Sequence, residues 1–328
     1  MKIRAGIIGG AGYTAGELLR LLIHHPQTDI AFVRSASHAG QPITEVHGGL
    51  IGETELRFSP QPPEGCFKSP SGDLGVDVLF LCSAHGDSRK FVENTAIPAS
   101  VKIIDLSMDY RHRATADGFV YGLPELNREA IRTAGRIANP GCFATAIQLA
   151  LLPLADKQGL KNEIHIHAIT GSTGAGVKPS ATGHFAWRDN NISVYKAFEH
   201  QHLTEICESL RCDPAQINFI PVRGNFSRGI FASVYTESDL TLEEATQIYQ
   251  NFYRDAAFTF ISDRNIDMKQ AVNTNKCILH LEKHGNKLLI LSVMDNLLKG
   301  ASGQAVQNMN LMSGLNEKTG LELKAGGF

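Results

Sequence analysis

An apolar run, Ile3–Ile8, passes straight into Gly9-Gly10-Ala11-Gly12-Tyr13-Thr14-Ala15-Gly16 and then into the helix-patterned Glu17-Leu18-Leu19-Arg20-Leu21-Leu22-Ile23. This junction constrains the fold more than any other segment. A short, nearly continuous apolar run fits a parallel strand covered on both faces. The helix pattern stops ahead of Pro26, and Asp29–Val33 reads as a second strand. The result is a βαβ unit, the seed of a doubly wound α/β domain. Glycine lets the backbone turn sharply and approach a pyrophosphate, while the helix N-terminus supplies N–H groups and partial positive charge. The spacing is GxxGxxA rather than GxGxxG, so a tight turn without ligand is the competing reading.

The tip of the second strand selects between dinucleotides. An NAD site wants an acidic residue about 20 positions on, to hold the ribose 2′-hydroxyl. Here the strand ends in Arg34-Ser35-Ala36-Ser37, a guanidinium and two hydroxyls suited to a 2′-phosphate. NADP(H) is therefore the expected cofactor, with a solvated surface charge as the alternative for Arg34.

At roughly 150 residues per domain, 328 residues predict two domains. Further strands fit Val76–Cys82 and Val101–Leu106, with the Pro- and Gly-rich segment Ser59–Gly75 as loop. From Glu163 the texture changes, and Ile164–Thr170 alternates like a half-exposed strand. Strands at Asn218–Pro221, Ile230–Tyr235, Cys277–Lys283 and Lys287–Met294, with a helix over Leu240–Ala257, predict a mixed or antiparallel sheet. A last helix fits Ala301–Met312. A net charge of −2, with 20% charged residues, argues against a nucleic-acid groove or an anionic membrane surface. The longest apolar stretch, Ala144–Ala155, holds Thr145, Gln148 and Pro153 and falls short of the ~20 residues of a spanning helix. Met1-Lys2-Ile3-Arg4 leads directly into the first strand, leaving no room for a secretory apolar region. The expectation is a cytoplasmic protein with a small-molecule substrate.

Among six cysteines with no CxxC pair, Cys142 stands apart. It follows Asn139-Pro140-Gly141 and opens a helix predicted over Cys142–Leu152. A thiol there meets the helix dipole and unpaired N–H groups, which favour the nucleophilic thiolate. Cys82 and Cys277 sit in apolar strands and Cys207 in a helix pattern, and a buried, inert thiol is the ordinary state of a cysteine. His200 and His202 are candidates for the acid/base partner, with surface histidines at a helix start as the alternative. A zinc reading of this pair lacks further ligands at zinc spacing, so no metal is expected. Gly171–Gly176 resembles a phosphate cradle but has Val177 where a Walker loop has lysine. A loop packed close to a reacting centre and a plain turn both remain open. Asp295–Gln304 links a strand to the last helix, and its amides either contact a cofactor ring or merely cap the helix.

Taken in order, Gly9–Leu22, Asp105–Arg111, Tyr121–Asn127, Asn139–Thr145, Gly171–Gly176, His200–Ile206 and Asp295–Gln307 resemble the N-acyl-γ-glutamyl-phosphate reductases of arginine biosynthesis, nearly end to end. The resemblance implies an α/β fold, a Rossmann-type NADP domain over 1–141. It also implies a catalytic and oligomerisation domain of the semialdehyde and glyceraldehyde-3-phosphate dehydrogenase type over 142–300, and a C-terminal helix over 301–328 returning to the first. It implies Cys142 as nucleophile and His202 or His200 as acid/base. Gly9, Gly12, Tyr13, Thr14, Arg34, Ser35, Ser37, Ser83, Gly174 and Asn296 are placed at the cofactor, and Ser107, Arg111, Asn139, Arg223 and Arg228 at the substrate. The nicotinamide is expected against Cys142 in a cleft between domains, in a homo-tetramer.

One stretch departs from the pattern. Where such reductases often carry Pro-His-Leu before Arg-Gly-Ile, this chain has Pro221-Val222-Arg223-Gly224 before Arg228-Gly229-Ile230. An Arg223 guanidinium suits a second carboxylate, as on an N-succinyl rather than N-acetyl substrate, at about 1.5–3 kcal/mol; a solvent-facing arginine is the alternative. Two other functions compete: a semialdehyde dehydrogenase acting on aspartyl phosphate or carrier-protein-bound glutamyl phosphate, and a non-catalytic NADP sensor. A substrate panel separates the first, and dinucleotide binding without turnover marks the second.

Overall fold

The computed structural model describes residues 2–67, 75–158 and 160–326; part of the Ser59–Gly75 loop, 68–74, lies outside them. The chain forms two compact units, the first from Met1–Pro140 with Ala301–Glu322, the second from Gly141–Gly300 with Leu323–Phe328.

In the first unit β1 (Ile3–Ile8) leads through the glycine turn to α1 (Tyr13–Ile23), β2 (Thr28–Arg34), β3 (Phe58–Ser59) and β4 (Val78–Leu81). Then come α2 (Asp87–Asn94), β5 (Lys102–Asp105), β6 (Val120–Tyr121), α3 (Pro124–Thr133) and β7 (Arg136–Ala138). All seven strands run parallel, in the order β3-β2-β1-β4-β5-β7-β6. The apolar runs are explained by this arrangement: Ile7, Ile8, Leu79, Phe80, Leu81, Ile103 and Ile104 are all essentially inaccessible to solvent. Ile8, Leu79, Leu81 and Ile103 share one core with Phe32, Tyr110 and Phe119.

The second unit begins with α4 (Cys142–Gln158), followed by β8 (Ile164–Thr170), α5 (Phe185–Arg188), β9 (Ser193–Val194), α6 (Leu203–Leu210), β10 (Ile217–Arg223) and β11 (Ile230–Glu237). It closes with α7 (Leu242–Phe252), β12 (Thr259–Ile261), β13 (Cys277–His284) and β14 (Lys287–Met294). The sheet order is β12-β13-β14-β11-β8-β10-β9, with β10 parallel to β8 and β11 antiparallel to both β8 and β14. The sheet is thus mixed, and α4 packs on β11 and β14 while α7 packs on β13.

The helix opened by Cys142 runs past the expected end at Leu152 and through Pro153. A proline there removes the N–H that would bond the Leu149 carbonyl. The Tyr253 hydroxyl replaces it, donating to Leu149 O at 2.6 Å. Conversely, the helix expected over Leu240–Ala257 is only Leu242–Phe252, started by a Thr241–Glu244 capping box.

The last helix is preceded by a π turn, Leu298–Ser302, and α8 (Gly303–Met312) belongs to the first unit. It ends where Ser313 and Gly314 (φ +69°) break it, so helix does not extend through 301–328. Buried amides of this helix reach other segments: Asn308 Nδ2 donates to Gly122 O at 2.8 Å and to Asn139 Oδ1 at 3.1 Å, and Gln307 Nε2 donates to Glu317 Oε2 at 2.9 Å. No helix among the described residues is long and apolar enough to cross a membrane.

Candidate functional site

In the first unit the glycine turn has the shape a dinucleotide needs. Gly9 has φ +81°, and a methyl group on it would lie 2.7 Å from the Cys82 carbonyl carbon and 2.8 Å from Ser83 N. Only glycine satisfies both demands. The Gly9 and Gly10 N–H groups donate to Arg34 O at 3.1 and 2.8 Å, so the turn is fastened to the tip of β2. Gly12 caps α1 with no side-chain cap, and a Cβ there would meet nothing within 4 Å. The start of α1 is thus left without a side-chain cap, as an anion site at a helix N-terminus requires. Tyr13 is exposed beside it, while Thr14 accepts the Ser302 hydroxyl on its carbonyl at 2.7 Å. His47, which sequence reasoning missed, donates from Nε2 to Gly10 O at 2.7 Å and packs against Gly16.

Arg34 donates from Nε to Pro60 O at 3.3 Å, and no carboxylate pairs with it among the described residues. The Ser35 and Ser37 hydroxyls are 3.3 Å apart at the same strand tip. These groups fit a 2′-phosphate.

The other first-unit candidates brace one another. Ser107 is fully buried and donates from Oγ to Asp105 Oδ2 at 2.7 Å, and burial pushes the Asp105 carboxyl above its usual range. Arg111 donates from Nε to Asn139 O at 2.8 Å and from Nη2 to Leu106 O at 2.9 Å. Asn139 donates from Nδ2 to Ala301 O at 3.0 Å and accepts Asn308 on Oδ1.

In the second unit a polar cluster forms around the start of α4. Gly141 N donates to Glu205 Oε2 at 3.1 Å, and His202 Nε2 stands 3.8 Å from Glu205 Oε1. A methyl group at Gly141 would sit 2.4 Å from His202 Nε2 and 2.6 Å from Glu205 Oε1. His202 and Glu205 thus converge on the residue before Cys142. Glu205 was not among the sequence candidates, although its three-residue spacing from His202 puts both on one helix face. Gln148 ties the helices together, donating from Nε2 to Glu205 O and Ser209 Oγ, both at 3.0 Å. Gly141→Ala is expected to cost about 1–3 kcal/mol of stability by overpacking this corner. Denaturant unfolding checks it, and an unchanged midpoint would contradict the packing.

His200 sits differently, edge-on to Phe143 and Phe219 with centroids at 5.5 and 5.4 Å. Burial, helped by neighbouring His202, pushes its pKa down to about 3, so it stays neutral at physiological pH. Its Nδ1 accepts the His202 N–H at 3.2 Å. Tyr195, also missed, is raised to about 12 by burial, with Arg223 opposing and Cys142 adding to the shift. Arg223 is half-buried, lies 4.7 Å over the Tyr195 ring and donates from Nη1 to Ser172 O at 3.3 Å. On another side, Cys142 packs against the π turn: a methyl group at Gly300 would lie 2.7 Å from Cys142 Cβ.

The remaining candidates build the glycine loop. Arg228 grips the buried Asp295 with Nε and Nη2, both at 3.1 Å. Asn296 accepts Gly229 N on Oδ1 at 2.8 Å and donates to Thr173 Oγ1 at 3.0 Å. Gly174 lies in the turn Ser172–Ala175, whose Thr173 hydroxyl donates to Ser227 O at 2.6 Å. No group of three or more His, Cys, Asp or Glu side chains arranged to hold a metal occurs among the described residues. Elsewhere burial raises the Cys66 thiol and pushes the Cys82 thiol to about 12, which keeps both protonated.

Two family models match the chain in succession: semialdehyde dehydrogenase, NAD binding domain, over residues 4–134, and semialdehyde dehydrogenase, dimerisation domain, over 142–296. An N-acetyl-gamma-glutamyl-phosphate reductase from Azobacteroides pseudotrichonymphae genomovar. CFP2 is 68% identical, with 99% of this chain and 100% of that protein covered. One from Parabacteroides distasonis is 58% identical over the same shares. Among solved structures, the aspartate semialdehyde dehydrogenase with NADP from Candida albicans superimposes with a TM-score of 0.71 at 13% identity, covering 95% of this chain and 99% of that one. The likeness at that identity is one of fold.

Proposed function

We infer the function from one premise: this chain belongs to the N-acetyl-gamma-glutamyl-phosphate reductase family. It is an NADP-dependent oxidoreductase that converts an N-acyl-glutamyl 5-phosphate to the 5-semialdehyde and phosphate, a step of arginine biosynthesis. The observation that carries our reading of its chemistry is the convergence of His202 Nε2 and Glu205 on Gly141, beside a cysteine that opens a helix.

In this reading His202 Nε2 takes the proton of the Cys142 thiol, with Glu205 orienting the imidazole and steadying its charge. The thiolate attacks the acyl carbon, and the carbon–oxygen bond to phosphate breaks, leaving a thioester on Cys142. NADPH held by the glycine turn and the Arg34 tip would supply a hydride to the thioester carbon, which becomes a tetrahedral oxyanion. The carbon–sulfur bond then breaks, releasing aldehyde and restoring the thiolate. N–H groups at the α4 start hold the developing oxyanion. His200, kept neutral, packs and orients His202. Asn296, and Arg228 with Asp295, set the glycine loop. Gly9, Gly12, Tyr13, Thr14 and Ser83 line the dinucleotide site, while Arg34, Ser35 and Ser37 take the 2′-phosphate. Ser107, Arg111 and Asn139 shape the substrate-binding edge of their unit.

Thioester trapping tests the reading. The enzyme mixed with acyl phosphate and no NADPH should gain the acyl mass at Cys142; an adduct on another cysteine overturns it. Arg34→Ala should raise KM for NADPH roughly 10- to 150-fold with little change for NADH, since a charged hydrogen bond contributes about 1.5–3 kcal/mol. Steady-state kinetics with both cofactors decide it. Arg223, beside Tyr195, is proposed to meet the acyl group, and a preference for N-succinyl over N-acetyl substrate is expected. Equal kcat/KM for the two ends that assignment. The matched dimerisation domain supports a homo-oligomer; we propose a cytoplasmic homo-tetramer, which sedimentation velocity distinguishes from a dimer.

A further inference from the structure

The far end of α6 carries two cysteines that the chemistry above does not use. The helix stops at Leu210, Arg211 follows in the left-handed conformation (φ +55°), and Cys212 N donates to Cys207 O at 3.3 Å. A six-to-one bond around a left-handed residue is a Schellman closure, which presses together the side chains at its two ends. That contact usually joins two apolar groups. Here the two ends carry thiols, which interact with one another. Cys207 is buried, at 6% exposure, whereas Cys212 is partly open.

We propose that Cys207 and Cys212 form a reversible two-cysteine redox site, in which Cys212 meets a peroxide-class oxidant and Cys207 resolves it. The Cys212 thiolate attacks one peroxide oxygen, the O–O bond breaks, and hydroxide leaves to become water, giving a sulfenic acid on Cys212. The Cys207 sulfur attacks that sulfur, the S–O bond breaks with loss of a second water, and the disulfide forms. Two thiols lose two hydrogens and two electrons, and peroxide is reduced to water. The division of labour follows from exposure: an oxidant reaches the partly open Cys212, while Cys207 is buried and its thiol raised. The 3.3 Å bond from Cys212 N to Cys207 O holds the two residues at the two ends of one closed turn.

The test uses the reduced full-length protein, treated with graded hydrogen peroxide, alkylated and digested with trypsin. Arg211 lies between the two cysteines, so cleavage leaves them on separate peptides unless a disulfide joins them. The expected product is the linked pair, lighter by two hydrogens and released by dithiothreitol, in the unmodified chain and in Cys142→Ser alike. Cys207→Ser should leave a dimedone-reactive sulfenic acid on Cys212, and Cys212→Ser should leave Cys207 a thiol. The proposal falls if both cysteines remain alkylatable at doses that oxidise Cys142, or if Cys212 proceeds to sulfinic acid while Cys207 stays reduced.

Discussion

Replacing Cys142 with serine is expected to lower kcat by roughly 10⁴-fold or more while leaving the affinity for NADPH unchanged. The size follows from the division of the reaction into acylation and reduction. Serine keeps the shape against Gly300, but its hydroxyl is far less ionised at neutral pH than a thiol, and an ester is a poorer hydride acceptor than a thioester. The glycine turn and the Arg34 strand tip proposed to hold NADPH lie in the other unit, so their grip on the cofactor should be unchanged. Initial rates of phosphate-dependent NADP reduction, with NADPH fluorescence titration alongside, provide the measurement. Turnover within tenfold of the parent enzyme would show that another group is the nucleophile.

His202→Asn is expected to cost about 10²- to 10⁴-fold in kcat, the usual worth of a positioned acid/base. The same change at His200 should cost less. The two rings are neighbours, with centroids 4.6 Å apart, yet only His202 presents Nε2 to Gly141 and Glu205. His200 is held neutral among aromatic rings and has no charge to gain or lose between pH 5 and 8. The pH profile separates a chemical role from a packing one. The alkaline rise of kcat should shift in His202→Asn, whereas His200→Asn should keep the parent profile at reduced amplitude. If the larger loss and the altered profile belong to His200→Asn, the assignment reverses.

Features carried by a few consecutive residues were legible in the sequence. The glycine turn announces itself because strand, glycines and helix are contiguous, and Cys142 because Pro140 and Gly141 precede a helix. Roles that depend on distant partners were not. The pairing of Arg228 with Asp295 shows in no motif, because the carboxylate arrives only when β11 pairs with β14. Tyr195 belongs to no motif, and only the fold brings it beside Arg223. The two-residue strands β3, β6 and β9 are too short to show any periodicity and exist because a neighbouring strand offers its edge.

The placement of α8 has a consequence in time. The first unit is assembled from residues that precede the second unit in the sequence and from residues made after it. On the ribosome, Gly122 and Asn139 must wait for Asn308 to emerge before their polar groups are satisfied, and by then the intervening residues of the second unit have already been synthesised. Nascent chains generally fold domain by domain as they are made. The inserted catalytic unit can therefore mature while the dinucleotide unit, though begun first, is still missing a helix, and the enzyme is completed from its middle outward.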